Sequence, residues 1–276
     1  MTTYDWIVVG AGITGASLAY ELSQYFRVLL LEKDAQPDNA TVYSYGGLAY
    51  WSGTNELTRQ LGQEGLELHR HLSSELEAET EFRELDLILT IARQDDPEAI
   101  AQLYNRFEVV PELINVADAC VLEPLLNPNA ISGVLKLPHG HIHPQKTTDA
   151  YVQAFIRNGG EIVYERAVDL VWHENQIAGV ITETHEYSAL HTVVCAGGLS
   201  RSLLQQANLS VAHRYTIARS LVTPPVDLEL ATIVMPAIQQ RFTLEAQSDL
   251  GSTEFTNDTI LDPGAVQFLD GSLCLG

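Results

Sequence analysis

The first 34 residues carry the pattern that most constrains how this chain folds. A strand-like run, Asp5-Trp6-Ile7-Val8-Val9, leads directly into Gly10-Ala11-Gly12-Ile13-Thr14-Gly15, and an apolar run from Val28 to Leu31 ends on Glu32. Glycines at these spacings permit a tight turn, a close approach of backbone N–H groups to a pyrophosphate, and packing of the following helix on the sheet. The helix N-terminus faces the negative charge, and Glu32 lies where a carboxylate can accept hydrogen bonds from both ribose hydroxyls. The pattern predicts a bound dinucleotide, and the alternative is a sharp strand-to-helix turn followed by a surface glutamate.

Composition limits the class of protein and its partners. The 276 residues, 46% of them hydrophobic, suffice for one large domain or two intertwined ones. Fifteen basic against 36 acidic residues give a formal charge of −21, so no nucleic-acid partner is expected. We find no apolar stretch of transmembrane length, and the first strand begins by residue 5, which predicts a cytoplasmic protein without a cleaved signal.

Cysteine and histidine spacing gives no metal or disulfide signature. Cys120, Cys195 and Cys274 fit neither a disulfide framework nor a C-x-x-C site, and we interpret Cys195 and Cys274 as packing residues. The histidines at 139, 141 and 143 alternate in Pro-His-Gly-His-Ile-His-Pro and would share one side of an extended segment. A metal site would normally add a carboxylate or cysteine at short spacing, so none is predicted here.

Hydrophobic periodicity predicts the remaining elements. A helix is expected from about Thr14 to Gln24, and a second, longer helix should bury a stripe of leucines in the core (Leu57, Leu61, Leu68, Leu72 and Leu76). Further on, the pattern predicts strands at 82–92, 131–137, 161–171, 176–184 and 191–196, helices at 96–107 and 147–158, a His-rich turn after 137, and mainly β-structure after Asn208.

The nucleotide-binding features fall into two separated blocks. Residues 1–80 and 143–205 read as one α/β, Rossmann-like domain of discontinuous sequence, and residues 81–142 and 206–276 read as an inserted domain with a mixed β-sheet. A nicotinamide enzyme usually continues with further βα units directly after its second strand. This chain instead enters a loop rich in glycine and tyrosine, which argues for a different dinucleotide.

Four segments together resemble one family, the FAD-dependent oxidoreductases of the D-amino-acid oxidase and glycine oxidase type. They are the Gly10–Gly15 turn, the Glu32-Lys33 pair, the loop ending in Tyr45-Gly46-Gly47-Leu48, and Val168 with the later Cys195-Ala196-Gly197-Gly198 strand. The resemblance runs from Tyr4 to about Leu209. It implies that the dinucleotide is FAD.

The resemblance also implies a role for each matching residue. Ile13 and Thr14 would meet the pyrophosphate through backbone amides, Thr41 would lie near the phosphates, and Glu32 with Lys33 would hold the adenosine ribose. Small residues beside the isoalloxazine would let backbone N–H groups reach its polar edge. The complete implied set is Gly10, Gly12, Ile13, Thr14, Gly15, Glu32, Lys33, Thr41, Gly46, Gly47, Leu48, Val168 (adenine), Ala196 and Gly197. For Val168 and Ala196 the alternative is ordinary strand packing.

Family membership implies oxidation of the C–N bond of an amino acid or secondary amine, with hydride transfer to flavin N5. A dry pocket would favour the neutral amine, and an arginine fork usually meets the substrate carboxylate. Arg214, Arg219 and Arg241 match no family motif, so no catalytic residue is assigned. Whether oxygen or a quinone-like acceptor takes the electrons stays open.

The sequence departs from the family pattern in its C-terminal part. We find no Gly-rich segment that would close over the flavin, so the chain is expected to be a truncated product or to rely on a partner chain. Weakened FAD binding and little turnover by this chain alone are the expectation. Two alternatives remain: a flavoenzyme that oxidises the C–O bond of a hydroxy acid or glycerol phosphate, and a non-catalytic fragment or half of a split flavoprotein.

Overall fold

A computed structural model describes residues 3–212, 215, 217–240 and 262–276. The strands are β1 (Thr3–Val9), β2 (Val28–Glu32), β3 (Gly47–Leu48), β4 (Arg83–Ala92), β5 (Glu112–Ile114), β6 (Ile131–His141), β7 (Glu161–Tyr164), β8 (Ala167–His173), β9 (Gln176–Thr182), β10 (Glu186–Val194), β11 (Leu221–Val222), β12 (Ile233–Pro236), β13 (Ala265–Gln267) and β14 (Leu273–Leu275). The helices are α1 (Ile13–Ser23), α2 (Glu56–Glu75), α3 (Pro97–Leu103), α4 (Val116–Leu122), α5 (Pro144–Arg157) and α6 (Ser200–Gln206), with short 3-10 helices at Tyr50–Ser52 and Gly197–Leu199.

The first of two compact units contains the N-terminal βαβ segment. It comprises Met1–Ser44, Leu72–Thr80 and Pro144–Tyr215. Its six-stranded sheet has the order β7-β2-β1-β10-β9-β8, in which β7, β2, β1 and the end of β10 are parallel. Every residue of β2 is buried, as expected for a parallel strand covered on both faces. The α/β fold predicted from the sequence is confirmed.

Two apolar layers cover this sheet. Side chains of α1 and α5, including Ala16, Ala19 and Phe155, pack with Val8 and Leu30 on one face. The other face buries β-strand side chains together with Leu203 of α6; the strand members include Ile7, Leu29, Leu31 and Val180. Alternate residues of β1 and β2 therefore serve opposite layers, which fixes the strand register.

The second unit is built on a larger mixed sheet. It comprises Tyr45–His71, Glu81–His143 and Thr216–Gly276. The strand order is β11-β14-β13-β12-β4-β6-β3, with β5 also paired to β6. Among the described strands of this sheet, only β12 and β4 pair in parallel, and the long β4–β6 ladder is antiparallel. Leu87, Leu89, Leu135 and Leu137 form the centre of its core.

The boundaries of the units differ from the domain limits predicted from the sequence. Residues 45–71 group with the second unit, whereas the sequence places them with the first, because β3 pairs with β6 through Gly47 and Leu48. Residues 206–215 group with the first unit. The assignment of FAD binding to one unit and substrate binding to the other stays a prediction.

Two expectations about secondary structure need correction, and two short helices were not predicted. The segment 161–171 is two strands, β7 and β8, of which the first joins the parallel sheet and the second an antiparallel ladder. The proposed His-rich turn is instead the end of β6, because Pro138 to His141 stay paired with β4. Helices α4 and α6 have only seven residues each, too short to give a clear period in the sequence.

The predicted leucine stripe of α2 is also wrong in part. Leu57, Leu61 and Leu68 are exposed by 64%, 56% and 41%, whereas Leu66, Leu72 and Leu76 are buried. Gly62 of α2 lies against the Tyr50 backbone, since a Cβ there would be 2.6 Å from the Tyr50 carbonyl oxygen. No helix in the described ranges, α2 included, has the length and apolarity needed to cross a bilayer.

Candidate cofactor site

The Gly10 turn brings three parallel strand ends together. Gly10 has φ +103°, and a Cβ there would lie 2.5 Å from the Cys195 carbonyl oxygen and 3.0 Å from Cα of Ala196. The Gly10 N–H donates to the Leu31 carbonyl at 2.7 Å, and the Cys195 N–H donates to the Val9 carbonyl at 2.7 Å. The predicted residues Gly10 and Ala196, which are far apart in sequence, are therefore in contact, and only glycine fits the first position.

Gly15 lies directly against the Gly10 turn. A Cβ at this position would lie 1.8 Å from the Gly10 carbonyl oxygen and 3.2 Å from Cβ of Cys195. The absence of a side chain therefore lets α1 start directly against the turn, in addition to packing on the sheet as the sequence pattern predicts. Cys195 fills the space beside it, and burial raises the pKa of its thiol.

The N-terminus of α1 is available to an anion. Its N-cap is Gly12, which offers no capping side chain, and the first turn carries no acidic residue. The Ile13 N–H donates to the hydroxyl of Thr41 at 3.1 Å. Thr41 is buried, and the side-chain oxygen of Asn39 holds its loop by accepting from the backbone N–H groups of Thr41 and Val42 at 3.0 and 3.2 Å. The structure thus brings Gly12, Ile13 and Thr41 together, with Thr14 exposed beside them, and their contact with a pyrophosphate stays a prediction.

Asn39 is a residue that the sequence reasoning missed. Its only signal was an Asn in a loop of small residues, the usual setting of a side chain that caps its own turn.

Glu32, at the end of β2, accepts hydrogen bonds from three backbone N–H groups, one of them in the turn. One of its carboxylate oxygens accepts from the Ala11 N–H at 2.8 Å, and the other accepts from the N–H groups of Lys33 and Asp34 at 2.9 and 3.3 Å. Only 9% of the residue is exposed. A carboxylate offers about four acceptor sites, so capacity remains for a ribose hydroxyl.

Lys33 points elsewhere. Its ammonium pairs with the carboxylate of Asp34, and the hydrogen bond to Asp34 raises the pKa of the lysine. To contact the adenosine ribose as predicted, the Lys33 side chain would have to give up this ion pair.

Two further predicted positions lie along β8 and after β10. Gly197 adopts φ +53° at the start of a 3-10 helix, and its carbonyl accepts from the Tyr215 hydroxyl at 3.3 Å. Val168 sits at an irregularity of the β8–β9 ladder between Ala167 and Asp169, and 37% of it is exposed. Its backbone is therefore outside regular pairing, which suits a backbone contact with a ligand.

The segment Gly46–Leu48 lies in the second unit. Gly47 and Leu48 pair with His141 and Gly140 of β6, and the Ile142 N–H donates to the Gly46 carbonyl at 3.0 Å. The structure therefore gathers the predicted residues in two groups, one around Gly10 in the first unit and one on β6 in the second.

The alternating histidines belong to this second group and have hydrogen-bonded roles. His139 and His141 are both buried, on the same side of β6 as the alternation predicts. Among the described residues no cluster of three or more histidine, cysteine, aspartate or glutamate side chains could hold a metal ion. The described cysteines at 120, 195 and 274 are free thiols. Of the arginines discussed above, Arg214 and Arg241 lie outside the described residues.

A glycine turn against a neighbouring strand, an uncapped helix N-terminus and a buried carboxylate at the end of the second strand define a dinucleotide-binding protein of the Rossmann-like class. The chain belongs to the family of FAD dependent oxidoreductases (DAO), whose model matches residues 5–270. The resemblance inferred from the sequence is confirmed. The residues present fit FAD, the cofactor of this family, since the turn supplies backbone donors for a pyrophosphate and Glu32 an acceptor for a ribose.

Individual relatives differ in substrate. The chain is similar to a glycerol 3-phosphate dehydrogenase of Caloramator mitchellensis (27% identity over 202 residues, 70% of this chain and 42% of that protein). It is also similar to a 4-methylaminobutanoate oxidase (formaldehyde-forming) of Paenarthrobacter nicotinovorans (27% over 212 residues, 74% of this chain and 26% of that protein).

A solved structure supports the fold. Glycine oxidase from Geobacillus kaustophilus superposes with a TM-score of 0.77 at 19% identity, covering 100% of this chain and 71% of that one. The chain therefore spans less than half the length of the two curated relatives named above and about seven tenths of this oxidase.

Proposed function

We propose that this chain carries the FAD-binding core of an oxidoreductase that oxidises the C–N bond of an amino acid or secondary amine. The observation that carries the proposal is the joint position around the Gly10 turn of Glu32, Thr41 and the N-terminus of α1, whose N-cap residue Gly12 has no capping side chain. In it, Glu32 would accept from the adenosine ribose and the N–H groups of α1 would meet the pyrophosphate. The bound FAD would supply a two-electron acceptor that takes hydride from the substrate carbon.

The charges of the second unit favour an amine over a phosphate substrate. Lys136 pairs with Asp86 at 3.1 Å, Arg59 pairs with Glu108 at 3.0 Å, and Arg70 pairs with Glu84. These three cations are paired with carboxylates, whereas Arg83 donates to the Gln267 carbonyl and lies beside His141. The names of the relatives include both an amine oxidase and a glycerol 3-phosphate dehydrogenase, and the choice of an amine is a proposal that these three ion pairs support.

The test has a binding part and a reaction part. The purified chain should bind FAD and also ADP, which contains only the adenosine end, and Glu32→Gln should weaken both. The reconstituted protein, or a longer chain that contains it, should then be mixed anaerobically with sarcosine, proline, glycine, glycerol 3-phosphate and 2-hydroxyglutarate. Bleaching of the flavin by glycerol 3-phosphate alone would overturn the choice of substrate class. Reoxidation of the reduced flavin by oxygen or by a quinone then separates oxidase from dehydrogenase.

We also propose that a strand from outside this sequence pairs with β10. The strand pairs with β1 from Ser188 to Val194, but with β9 only from Glu186 to Ser188. Within residues 3–212, 215, 217–240 and 262–276, the second edge of β10 beyond Ser188 has no partner strand, and Leu190 there is 65% exposed. An open edge with an apolar side chain recruits another strand. Hydrogen exchange tests this: the outward amides of 189–194 should exchange fast in this chain and slowly in a longer protein or complex.

A further inference from the structure

The alternating histidines of β6 contact the segment that the family resemblance implies to lie beside the flavin ring. His139 and His141 are each 1% exposed and lie on one face of the strand. Within the second unit both contact the loop Tyr45–Leu48. His141 makes a hydrogen bond to the Tyr45 carbonyl, and the ring of His139 lies beside Gly47. The hydrogen bonds of the two rings determine which nitrogen of each imidazole carries the proton.

His141 holds the start of the segment. Its Nε2 lies 2.8 Å from the carbonyl oxygen of Tyr45, and its Nδ1 lies 3.4 Å from Nε of Arg83. A carbonyl can only accept and a guanidinium can only donate. The proton is therefore on Nε2 and the lone pair on Nδ1, so the neutral ring is satisfied on both sides.

His139 lies beside Gly47, in the middle of the segment. The indole N–H of Trp51 donates to its Nδ1 at 3.1 Å, which leaves the proton on Nε2. That Nε2 is buried and has no hydrogen-bond partner among the described residues. A Cβ on Gly47 would lie 2.6 Å from it and 2.1 Å from the Tyr45 ring. A buried donor without a partner is costly, so core packing alone does not account for a histidine here.

Both rings are held neutral by their surroundings. Burial lowers the pKa of His139 and of His141 to about 4, and for His141 the positive charge of Arg83 adds to the effect. At neutral pH neither ring carries a charge that would repel Arg83 or draw water under the loop.

We propose that His139 and His141 are positioning residues that hold the backbone of Tyr45–Leu48 in the shape that receives the flavin ring. The proposal rests on the proposed function and on the family resemblance, which implies that Gly46, Gly47 and Leu48 lie beside the isoalloxazine. His141 sets the Tyr45 carbonyl, and His139 and the Tyr45 ring occupy the space that a side chain at position 47 would need. The backbone N–H groups of the segment are then presented to the ligand in one arrangement.

The experiment compares FAD with ADP, because ADP lacks the isoalloxazine. Dissociation constants for both are measured on the apo-protein by fluorescence or calorimetry, with the urea midpoint as a folding control. His141→Leu should raise the dissociation constant for FAD about tenfold and leave that for ADP within about twofold. His141→Gln, whose amide can donate to the Tyr45 carbonyl, should restore most of the affinity. His173→Leu, at an exposed position on β8, is the matched control and should change neither constant.

The outcomes separate this inference from the function on which it rests. If the wild-type chain binds neither FAD nor ADP, the proposed function fails and the inference falls with it. If the wild type binds both but a folded His141→Leu variant loses FAD and ADP equally, or loses neither, the inference alone is overturned. His141→Asn, whose shorter amide does not reach the Tyr45 carbonyl, carries the same expectation as His141→Leu, and it decides the matter if the leucine variant does not fold.

Discussion

The carboxylate of Glu32 lies 2.8 Å from the backbone nitrogen of Ala11, the residue between the first two glycines of the turn. The acid at the end of β2 therefore stabilises the turn even before a ribose arrives. Because the same carboxylate also accepts from Lys33 and Asp34, its loss affects the turn and the end of β2 together.

Glu32→Gln is expected to weaken both nucleotide binding and the fold. The glutamine keeps one acceptor oxygen but replaces the other by a donor that faces backbone N–H groups. The free energy of unfolding should fall by about 1–3 kcal/mol, and the dissociation constant for ADP should rise about tenfold. Urea unfolding and ADP titration measure the two effects. Glu183→Gln, at an exposed position, is the control, and equal effects in both variants would contradict the role given to Glu32.

Three glycine-to-alanine variants separate steric from conformational cost. Gly10→Ala combines a positive φ with a Cβ 2.5 Å from backbone and should destabilise by about 3 kcal/mol or more. Gly159→Ala has φ +87° but open space, so about 1 kcal/mol is expected. Gly198→Ala has neither constraint and should be close to neutral, within about 0.5 kcal/mol. Urea midpoints in any other order would show that the turn does not approach Cys195 as described.

The buried histidines of β6 predict an acid-sensitive second unit. Since the folded pKa values of about 4 lie below the unfolded value of about 6.5, the unfolded chain binds more protons between these limits. Stability should therefore be full above about pH 6.5 and fall as the pH drops towards 4, by up to roughly 1.4 kcal/mol per pH unit for each histidine. Arg83 and His143 are the charged or titratable side chains beside this pair, and Trp51 and Phe268 are its neutral neighbours.

Urea unfolding at several pH values checks this expectation. The double variant His139→Phe, His141→Gln should flatten the pH dependence in that window, because the protons taken up on unfolding are removed. A wild-type stability that does not change between pH 6.5 and 4, or a double variant with the same slope, would contradict it.

Two leucines of α2 test which face of the helix is buried. Leu66 is 4% exposed and Leu61 is 56% exposed. Leu66→Ala should therefore cost about 2–5 kcal/mol, while Leu61→Ala should stay within about 0.5 kcal/mol. Thermal or urea unfolding measures both. Similar losses of stability in the two variants would mean that Leu61 is buried, as the sequence pattern predicts.

The open edge of β10 predicts self-association of the isolated chain. Leu190→Lys places a charge on that edge, which should oppose edge-to-edge pairing. Light scattering at rising protein concentration should show less association for this variant, with ADP binding unchanged. Leu61→Lys, which exchanges a similarly exposed leucine on α2, is the control, and an equal reduction there would mean that general surface charge is responsible.

The sequence predicts best where the determinants are close together. The strand, turn, helix and second strand of residues 3–32 all form as expected, since a βαβ unit is specified by local glycine spacing and apolar runs. The helix started by Asp96 and Pro97 also forms, with the Asp96 carboxylate accepting from the N–H groups of Glu98 and Ala99, but it ends at Leu103 and not at the predicted residue 107. Where a predicted element was wrong, as in the leucine stripe of α2, periodicity identified the helix but could not tell which side meets a partner.

By itself the sequence determined the βαβ unit, because it depends on residues close together in the chain, and the family, because four separate motifs match it; the glycines and acid that would face FAD stay a prediction. Only the tertiary structure decided how the separate segments meet. Gly10 packs against Cys195, Thr41 reaches Ile13, and Trp51 orients His139 across 88 residues. Such contacts depend on strand order and register, which bring distant residues within hydrogen-bonding distance and leave no trace in local spacing.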